Sequence, residues 1–422
     1  MIRILNANEI PAEEIFSRTV PQAAVTDAVA EIIAAVRREG DAVLFRYCER
    51  FDGVKLSSLQ VTEEEMEGAL ALVEPDFLSV LERAAANIRA FHEKQVREGF
   101  QISDKQGVIL GQKVMPLERV GLCVPGGEAP LSSTVLMDAI PAKLAGCREL
   151  VMVTPAWPDG KVAPAILAAA KIAGVDRVFK LGGAQAVAAL AYGTESVPRV
   201  DKIVGPGGAY VSEAKKQVYG QVDIDMVAGP SEILVIADGK SVPEHVAADM
   251  LSQAEHDKMA SAVLVTDSMS LAKAVQSQIE EQLKTLPRRE IAAASIENNG
   301  KIIVTADISA AVDIANTLAP EHLELCVDEP FAYLDSIRNA GSVFLGRYCP
   351  EALGDYFAGA NHTLPTSGTA RFSSPLSVDD FVKKTQFVYY TEDALSGVSE
   401  DIARFACEER LEGHARSVLS RF

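Results

Sequence analysis

The chain has 422 residues, too many for one typical hydrophobic core, so we expect at least two domains. Hydrophobic residues make up 48% and charged residues 23%, ordinary values for a globular protein. The 40 basic residues against 59 acidic ones give a net charge of −19. This charge argues against a nucleic-acid or membrane-surface partner, since phosphate backbones and anionic lipids are also negative.

The first hundred residues are predicted to be mostly helical, with apolar residues at helical spacing over Val25–Glu39 and Glu63–Gln95 and a turn at 51–53 between them. From residue 119, short apolar runs alternate with Ala-rich stretches. The runs predict strands over Arg119–Val124, Glu149–Thr154, Arg177–Leu181 and Lys202–Val204. The stretches between and after them predict helices over Leu131–Ala145, Ala163–Ala173, Gln185–Ala191 and Tyr210–Tyr219. This alternation predicts a parallel sheet with helices on both faces.

A second run of strands follows, predicted at Glu232–Ala237, Ala262–Thr266, Ile302–Thr305, Leu323–Val327 and Ser342–Leu345. The Thr-, Ser-, Pro- and Gly-rich segment Asn361–Asp380 predicts a long ordered loop, and Glu392–Phe422 is predicted to be helical with an interruption at Gly413. We therefore expect an α/β fold of two domains with mostly parallel, helix-covered, incomplete Rossmann-like sheets. An N-terminal helical region and a C-terminal helical tail would complete it.

Cysteine usage and the N-terminus predict a cytoplasmic location. The six cysteines are dispersed and form no CxxC pair, which suits reduced thiols better than disulfides or a thiolate zinc site. No apolar run reaches the roughly 18–20 residues that cross a bilayer. The opening MIRILNANEIPAEE lacks the basic and then apolar regions of a signal peptide.

Four glycine clusters punctuate the predicted strand ends: PGG (125–127), LGGAQ (181–185), GPGG (205–208) and AGPSE (228–232). In α/β sheets, ligands bind outside the carboxyl ends of the strands, where glycine lets the backbone approach and the next helix offers N–H groups. No cluster spells GxGxxG, so an ordinary Rossmann dinucleotide site is not supported. Any one cluster could be only a tight turn, but together the four predict the lining of a cleft.

Two pairs of polar residues are candidates for chemistry. Gln253 and His256 are three residues apart in a predicted helix, so they share a face and make half a metal site or a solvated helix face. Glu321 and His322 are adjacent before a predicted strand. A carboxylate beside an imidazole suits acid–base catalysis, although an exposed strand entry without a role has the same pattern.

Two further histidines lie in unusual surroundings. His362 follows Asp355 by seven residues in a glycine-containing loop that could bring both side chains into a cleft. His414 lies near the C-terminus, five residues after Glu409. A terminal histidine is most often a surface residue, so neither position identifies a site alone.

Six sequence blocks, matching in order and spacing over about residues 88–417, together resemble histidinol dehydrogenases: GGAQAVAALAYGTE (182–195), AGPSE (228–232), LSQAEH (251–256), NTLAPEHLEL (316–325), EALGDYFAGANHTLPTSGTARF (351–372) and EGHARS (412–417). The resemblance implies a zinc-dependent, NAD-linked enzyme that oxidises L-histidinol through L-histidinal to L-histidine, ending histidine biosynthesis. Both hydride transfers would take place in one active site.

The resemblance also implies residue roles. The catalytic acid–base pair would be Glu321 and His322. One zinc ion per subunit would be held by Gln253, His256, Asp355 and His414. Substrate-contacting positions would be Ser231, Gln253, His256, His322, Asp355, His362, Glu409 and His414. Cofactor-binding positions would be Cys123, Gln185 and Gly208.

In this family the tail histidine comes from the partner subunit, so the resemblance implies a homodimer with composite active sites. The corresponding domain prediction has four parts. Residues 1–24 form an N-terminal arm, and 25–122 with 232–375 form a larger α/β domain that carries the metal and acid–base residues. Residues 123–231 form an inserted dinucleotide-binding domain, and 376–422 form a tail that contributes to the partner's site.

Two positions depart from the family pattern. Cys123 stands where a tyrosine is usual, and Gly208 stands where an asparagine is usual, so an aromatic face and an amide are lost at the implied NAD site. A paralogous zinc-dependent dehydrogenase of another small polar (amino) alcohol is therefore an alternative. A metal hydrolase in which Glu321 activates water, and a non-catalytic metal-binding scaffold, are two more.

Overall fold

The structure is a computed structural model that describes residues 2–9, 11, 25–127 and 129–422. Residue contacts divide the described chain into two units, the first formed by residues up to 95 and 117–381, the second by 96–116 and 382–422. Most of the predicted N-terminal arm, including residues 12–24, lies outside the described residues. The domain boundaries predicted at 122, 231 and 375 stay a prediction.

The described strands form three sheets. In chain order they are β1 (Arg3–Asn6), β2 (Phe100–Ile102), β3 (Val108–Pro116), β4 (Arg119–Cys123), β5 (Glu149–Thr154), β6 (Arg177–Lys180), β7 (Lys202–Val204), β8 (Asp223–Ile224), β9 (Glu232–Ala237), β10 (Ser261–Thr266), β11 (Lys301–Val304), β12 (His322–Cys326), β13 (Ser342–Leu345) and β14 (Val382–Tyr390). A six-stranded parallel sheet has the order β1-β11-β10-β9-β12-β13, and a five-stranded parallel sheet the order β6-β5-β4-β7-β8. The second unit holds the antiparallel sheet β14-β3-β2.

Helices connect and cover these strands. They are α1 (Thr26–Glu39), α2 (Asp41–Tyr47), α3 (Glu63–Leu70), α4 (Pro75–His92), α5 (Ser132–Ala145), α6 (Pro164–Ala173), α7 (Gly183–Tyr192), α8 (Ala209–Val218), α9 (Pro243–Ala254), α10 (Met269–Gln282), α11 (Arg289–Asn299), α12 (Ile308–Leu318), α13 (Phe331–Leu334), α14 (Glu351–Leu353), α15 (Glu392–Ser396), α16 (Ser399–Glu408) and α17 (Glu412–Leu419). π-Helical turns occupy Cys48–Asp52 and Gly354–Ala358.

Both parallel sheets are buried on two faces. Apolar residues of α3 to α6 pack on one face of the five-stranded sheet, and those of α1, α2, α7 and α8 pack on the other. The six-stranded sheet is covered by α9, α10 and α11 on one face and by α12 on the other. Its strands β9, β10 and β11 are mainly apolar runs, as expected for a sheet that is buried on both sides. The predicted α/β fold class is therefore confirmed.

Several features differ from the predicted elements. β1 and β8 add short edge strands that pair with β11 and β7, and the antiparallel sheet of the second unit was not predicted. That sheet is mainly exposed, so its strands lack the buried apolar runs that identify the others. The predicted interruption at Gly413 is wrong, because Gly413 lies in the first turn of α17, where N–H groups have no partner within the helix.

All six cysteines are free thiols. None of the described helices combines the length and apolar character that crossing a bilayer requires. The cytoplasmic location stays a prediction.

The GPGG turn after β7 depends on glycine at one end and tolerates a side chain at the other. Gly205 has φ 108°, and a Cβ there would lie 2.3 Å from the carbonyl oxygen of Cys123. Gly208, the residue before α8, has φ −66°, and a Cβ there would meet open space. The two glycines therefore make a matched pair for substitution.

We expect Gly205→Ser to lower the free energy of unfolding by about 2–4 kcal/mol, because it adds left-handed strain and a backbone clash. Gly208→Ser should be neutral or stabilising by up to about 1 kcal/mol, because serine caps helix N-termini. Urea denaturation of the two variants measures the difference. Equal stabilities would contradict this account of the turn.

Candidate active site

The Glu321–His322 pair lies where the central strands of the six-stranded sheet begin. His322 is the first residue of β12, level with Ile233 of β9 and Ser342 of β13. Ser231, which is half-buried, immediately precedes β9. The AGPSE cluster is therefore at the amino edge of its sheet, not at a carboxyl edge as expected from the glycine pattern.

The backbone of Glu232 holds both members of the pair. Its N–H donates to Oε2 of Glu321 at 2.8 Å, and its carbonyl oxygen lies 3.0 Å from Nδ1 of His322. Nδ1 therefore carries a proton and donates to that carbonyl. The opposite nitrogen, Nε2, is buried without a hydrogen-bond partner among the described residues and lies 3.6 Å from Oδ1 of Asp355. This nitrogen is the ring atom free to exchange a proton.

Burial and neighbouring charges shift the pKa values of Glu321, His322 and Asp355 in different directions. Burial raises the pKa of the Glu321 carboxyl to about 8. Burial disfavours charge on His322, but the carboxylates of Glu321 and Asp355 outweigh it and raise the pKa of the ring to about 10. Asp355 is also buried, yet its contacts with His322 and His362 lower its pKa to about 2. Asp355 is thus ionised, while Glu321 and His322 can hold protons near neutral pH.

A cluster of metal-donor atoms adjoins the pair. One ligand atom each from His256, Glu351 and Asp355 lies within 4.8 Å of the other two. Desolvation of the ring lowers the pKa of His256. The ring is therefore kept neutral, as metal coordination requires. Imidazole nitrogen with carboxylate oxygen is a donor set that zinc and similar divalent cations accept.

Gln253 extends this donor cluster. With its NH₂ group turned towards Glu351, it donates to both carboxylate oxygens at 2.6 and 3.0 Å, and its Oε1 accepts from the N–H of Glu232 at 3.2 Å. In the other orientation, Oε1 of Gln253 faces the carboxylate oxygens of Glu351. A cation bound between these oxygens would stabilise that arrangement. The predicted helix over Gln253 and His256 ends earlier than expected, at Ala254, but the N–H of His256 still bonds to the Gln253 carbonyl at 3.2 Å.

Glu351 was missed by the sequence reasoning. It begins α14, four residues before Asp355, and the turn Gly354–Ala358 that follows keeps both carboxylates on one side. The signal was present as an acidic pair at i, i+4 spacing. Burial raises the pKa of Glu351 to about 7, and Ser252 Oγ donates to its carboxylate at 3.0 Å.

His362 is held in the loop next to Asp355. Its Nδ1 lies 3.0 Å from the backbone oxygen of Asp355, and its Nε2 lies 3.2 Å from the hydroxyl of Thr134 on α5. Burial lowers the pKa of His362. The ring is therefore neutral, donating through Nδ1 and accepting from Thr134.

Glu409 and His414 belong to the second unit. Glu409 follows α16 and His414 lies in α17, and both are exposed. The remaining candidates for metal, substrate and acid–base roles all lie in the first unit.

A cavity of about 240 Å³ opens at the carboxyl edge of the five-stranded sheet. Glycine clusters 125–127, 181–185 and 205–208 contribute to its wall, as do Cys123 and Gly208. Gln185, the third predicted cofactor residue, is buried in α7 and does not line it. The cavity is therefore formed mainly by backbone and apolar groups.

Comparison with known proteins identifies the fold and the blocks as those of one family. The family model for histidinol dehydrogenase matches residues 17–422. The chain belongs to the histidinol dehydrogenase family. It is an oxidoreductase of histidine biosynthesis.

Individual relatives agree closely with this assignment. A histidinol dehydrogenase from Syntrophotalea carbinolica is 58% identical over 403 residues, 95% of this chain and 93% of the relative. One from Clostridium acetobutylicum is 50% identical over 427 residues, 100% of this chain and 99% of the relative. The crystal structure of histidinol dehydrogenase from Elizabethkingia anophelis superposes with a TM-score of 0.94 at 39% identity, covering 100% of this chain and 98% of that one. The predicted membership of the histidinol dehydrogenase family is confirmed.

We expect Asp355→Ala to weaken zinc binding by at least about 100-fold, because it removes a ligand from the centre of the donor cluster. Glu255→Gln is the matched control, since it removes an acidic group next to His256 that the cluster does not contain. Competition with a chromophoric chelator measures both affinities. If the two variants bind zinc as tightly as the unmodified enzyme, the cluster is not the metal centre.

Proposed function

We propose that this enzyme oxidises L-histidinol through L-histidinal to L-histidine with two equivalents of NAD and one zinc ion per subunit. The observation that carries the proposal is the 3.6 Å approach of His322 Nε2 to Asp355 Oδ1. It joins an acid–base pair to a cluster of metal donors at one point. A substrate held by the cluster would present its alcohol to His322.

The donor set suits the implied cofactors. Bound zinc would hold the amino and imidazole groups of the substrate, and bound NAD would accept the hydride. The proposed zinc ligands are Gln253, His256, Asp355 and, from the partner subunit's tail, His414. Glu351 lies next to His256 and Asp355 in the donor cluster. Ser231, His362 and Glu409 are proposed to contact the substrate.

His322 would act as the general base of the first step. The hydrogen bond from Nδ1 to the Glu232 carbonyl fixes the ring, so Nε2 is the nitrogen left to take a proton. A cation bound at Asp355 would offset the negative charge that raises the pKa of His322, which would leave the Nε2 lone pair available in the neutral ring. Loss of the alcohol proton to Nε2 and of a hydride from the carbinol carbon, which bound NAD would accept, would together leave the aldehyde. Burial keeps bulk water from competing for this nitrogen.

Glu321 would activate the water that adds to the aldehyde. Its Oε2 is occupied by the Glu232 N–H, which leaves Oε1 to accept a proton from water. The raised pKa makes this carboxylate a stronger base than an exposed glutamate. The hydrate so formed is the species from which the second oxidation proceeds, and holding it in place prevents loss of the aldehyde.

We propose that NAD binds at the carboxyl edge of the five-stranded sheet. The glycine turns 125–127, 182–183 and 206–208 let a pyrophosphate approach the backbone, as in other α/β nucleotide sites. Cys123 and Gly208 line the cavity without the aromatic and amide groups usual in the family. A side chain at Gly208 would have room, so the missing amide is not excluded by packing.

A homodimer with composite sites completes the proposal. Glu409 and His414 are exposed side chains of the helical tail, available to another subunit. We propose that they act in the active site of the partner subunit, His414 as a zinc ligand and Glu409 as a substrate contact. The proposal explains why the family's tail motif EGHARS carries a histidine on a surface helix.

The deciding experiment measures NADH formed from a limiting amount of L-histidinol. We expect two NADH per L-histidinol, with activity lost on chelation and restored by zinc. Oxidation of another amino alcohol but not of L-histidinol would select the paralogous dehydrogenase suggested by Cys123 and Gly208. Absence of NAD reduction with any alcohol would contradict both.

The division of roles predicts different effects for two variants. His322→Asn should slow the oxidation of both L-histidinol and L-histidinal by about 10²–10⁴-fold, because it removes the base. Glu321→Gln should mainly slow L-histidinal oxidation. His245→Asn, at an exposed histidine of α9, is the control and should leave both rates unchanged. Equal losses in both half-reactions for Glu321→Gln would refute the assignment.

A further inference from the structure

Asp52 is half-buried, and one oxygen of its carboxylate has no hydrogen-bond partner among the described residues. It ends the π-helical turn Cys48–Asp52, and its Oδ2 is buried with no hydrogen-bond partner among the described residues. A carboxylate at the C-terminal end of a helix faces the negative end of the helix dipole. Burial raises the pKa of Asp52 to about 6, and no group in the described part of the chain lowers it. A hydrogen-bond donor supplied by a ligand would remove this cost of burial.

Asp52 lines the cavity at the carboxyl edge of the five-stranded sheet, together with the three glycine turns. Among the described residues of the lining it is the one ionisable group apart from the buried thiol of Cys123. The lining therefore offers backbone and apolar surface to a ligand, plus one carboxylate that accepts hydrogen bonds.

The position of Asp52 relative to the strands indicates which part of a dinucleotide it meets. The chain on both sides of it bonds to β6, through Cys48 Sγ to the Lys180 oxygen and through the Lys180 N–H to the Leu59 oxygen. β6 is the edge strand of its sheet. By contrast, α5, whose Thr134 contacts His362, follows β4 in the middle of the sheet. Asp52 therefore lies on the β6 side of the cavity, away from α5 and the proposed hydride transfer. The adenosine half of a bound dinucleotide would lie on this side.

We propose that Asp52 binds the hydroxyl groups of the adenosine ribose and makes the site selective for NAD over NADP. The inference rests on the proposed NAD-linked function. A carboxylate accepts two hydrogen bonds from a ribose diol, which is how acidic residues select NAD in α/β nucleotide sites. The 2′-phosphate of NADP would instead face this carboxylate, and no Lys, Arg or His of the described lining would neutralise it.

The experiment compares nucleotide affinity with stability. Calorimetry on the zinc-loaded enzyme gives dissociation constants for NAD⁺ and NADP⁺, and thermal unfolding gives the stability without nucleotide. Asp52→Asn keeps the side-chain shape and Asp52→Ala removes it. Glu49→Gln is the matched control, an exposed carboxylate on the same turn that does not line the cavity.

We expect the unmodified enzyme to bind NAD⁺ at least about 100-fold more tightly than NADP⁺. Both Asp52 variants should weaken NAD⁺ binding by about 10- to 100-fold. They should reduce the preference for NAD⁺ over NADP⁺ at least about tenfold. They should also unfold at the same or a higher temperature, because an unpaired buried charge is removed. If Asp52 had only a structural role, its substitution would lower the unfolding temperature.

Two results would overturn the inference, and they are distinguishable. If the Asp52 variants bind NAD⁺ as tightly as the unmodified enzyme and Glu49→Gln, the ribose role is wrong while the NAD-linked function stands. If the unmodified enzyme binds neither nucleotide, the proposed cofactor fails together with the inference.

Discussion

The backbone of Glu232 is the interaction on which the candidate active site depends. One peptide group orients a carboxylate and an imidazole at once, through the N–H bonded to Glu321 and the oxygen bonded to His322. Because Glu232 begins β9 and His322 begins β12, the parallel register of the two strands sets the distance between these groups. The geometry of the proposed acid–base pair is therefore set by the sheet and does not require a flexible loop to hold it.

The same site places several carboxylates in one buried region, and the donor cluster offers a position for a cation that would balance their charge. Glu321, Glu351 and Asp355 lie in one buried region with His322, and isolated buried carboxylates cost several kcal/mol each. Two of them respond by holding protons more tightly, since burial raises the pKa of Glu321 and of Glu351. Asp355 stays ionised beside His256 and His322. A divalent cation in the cluster would balance the remaining negative charge, so the excess of acidic groups here is a reason to expect a metal.

The sequence predicted the parallel sheets well because buried strands and Ala-rich helices carry strong periodic signals. It also predicted the Glu321–His322 pair and Asp355 through a resemblance, since adjacent polar residues alone do not reveal what they meet in space. Glu351 escaped because an acidic pair at helical spacing is common on exposed helices. Asp52 escaped because only the structure shows that its Oδ2 is buried and unpartnered. In both cases the missing information was which residues, distant in the sequence, bury the carboxylate.

Helix α5 links the two edges at which chemistry is proposed. It follows β4, whose PGG turn lines the cavity, and it fixes the loop beside Asp355 through three consecutive contacts. Thr134 bonds to His362, the Met137 oxygen accepts from Asn361, and Asp138 accepts from Thr363. A displacement of this helix would therefore move the wall of the proposed nucleotide site and the loop 361–363 together. Since a hydride moves only between atoms held in contact, one helix shared by both walls would keep cofactor and substrate in register through the two oxidations that we propose.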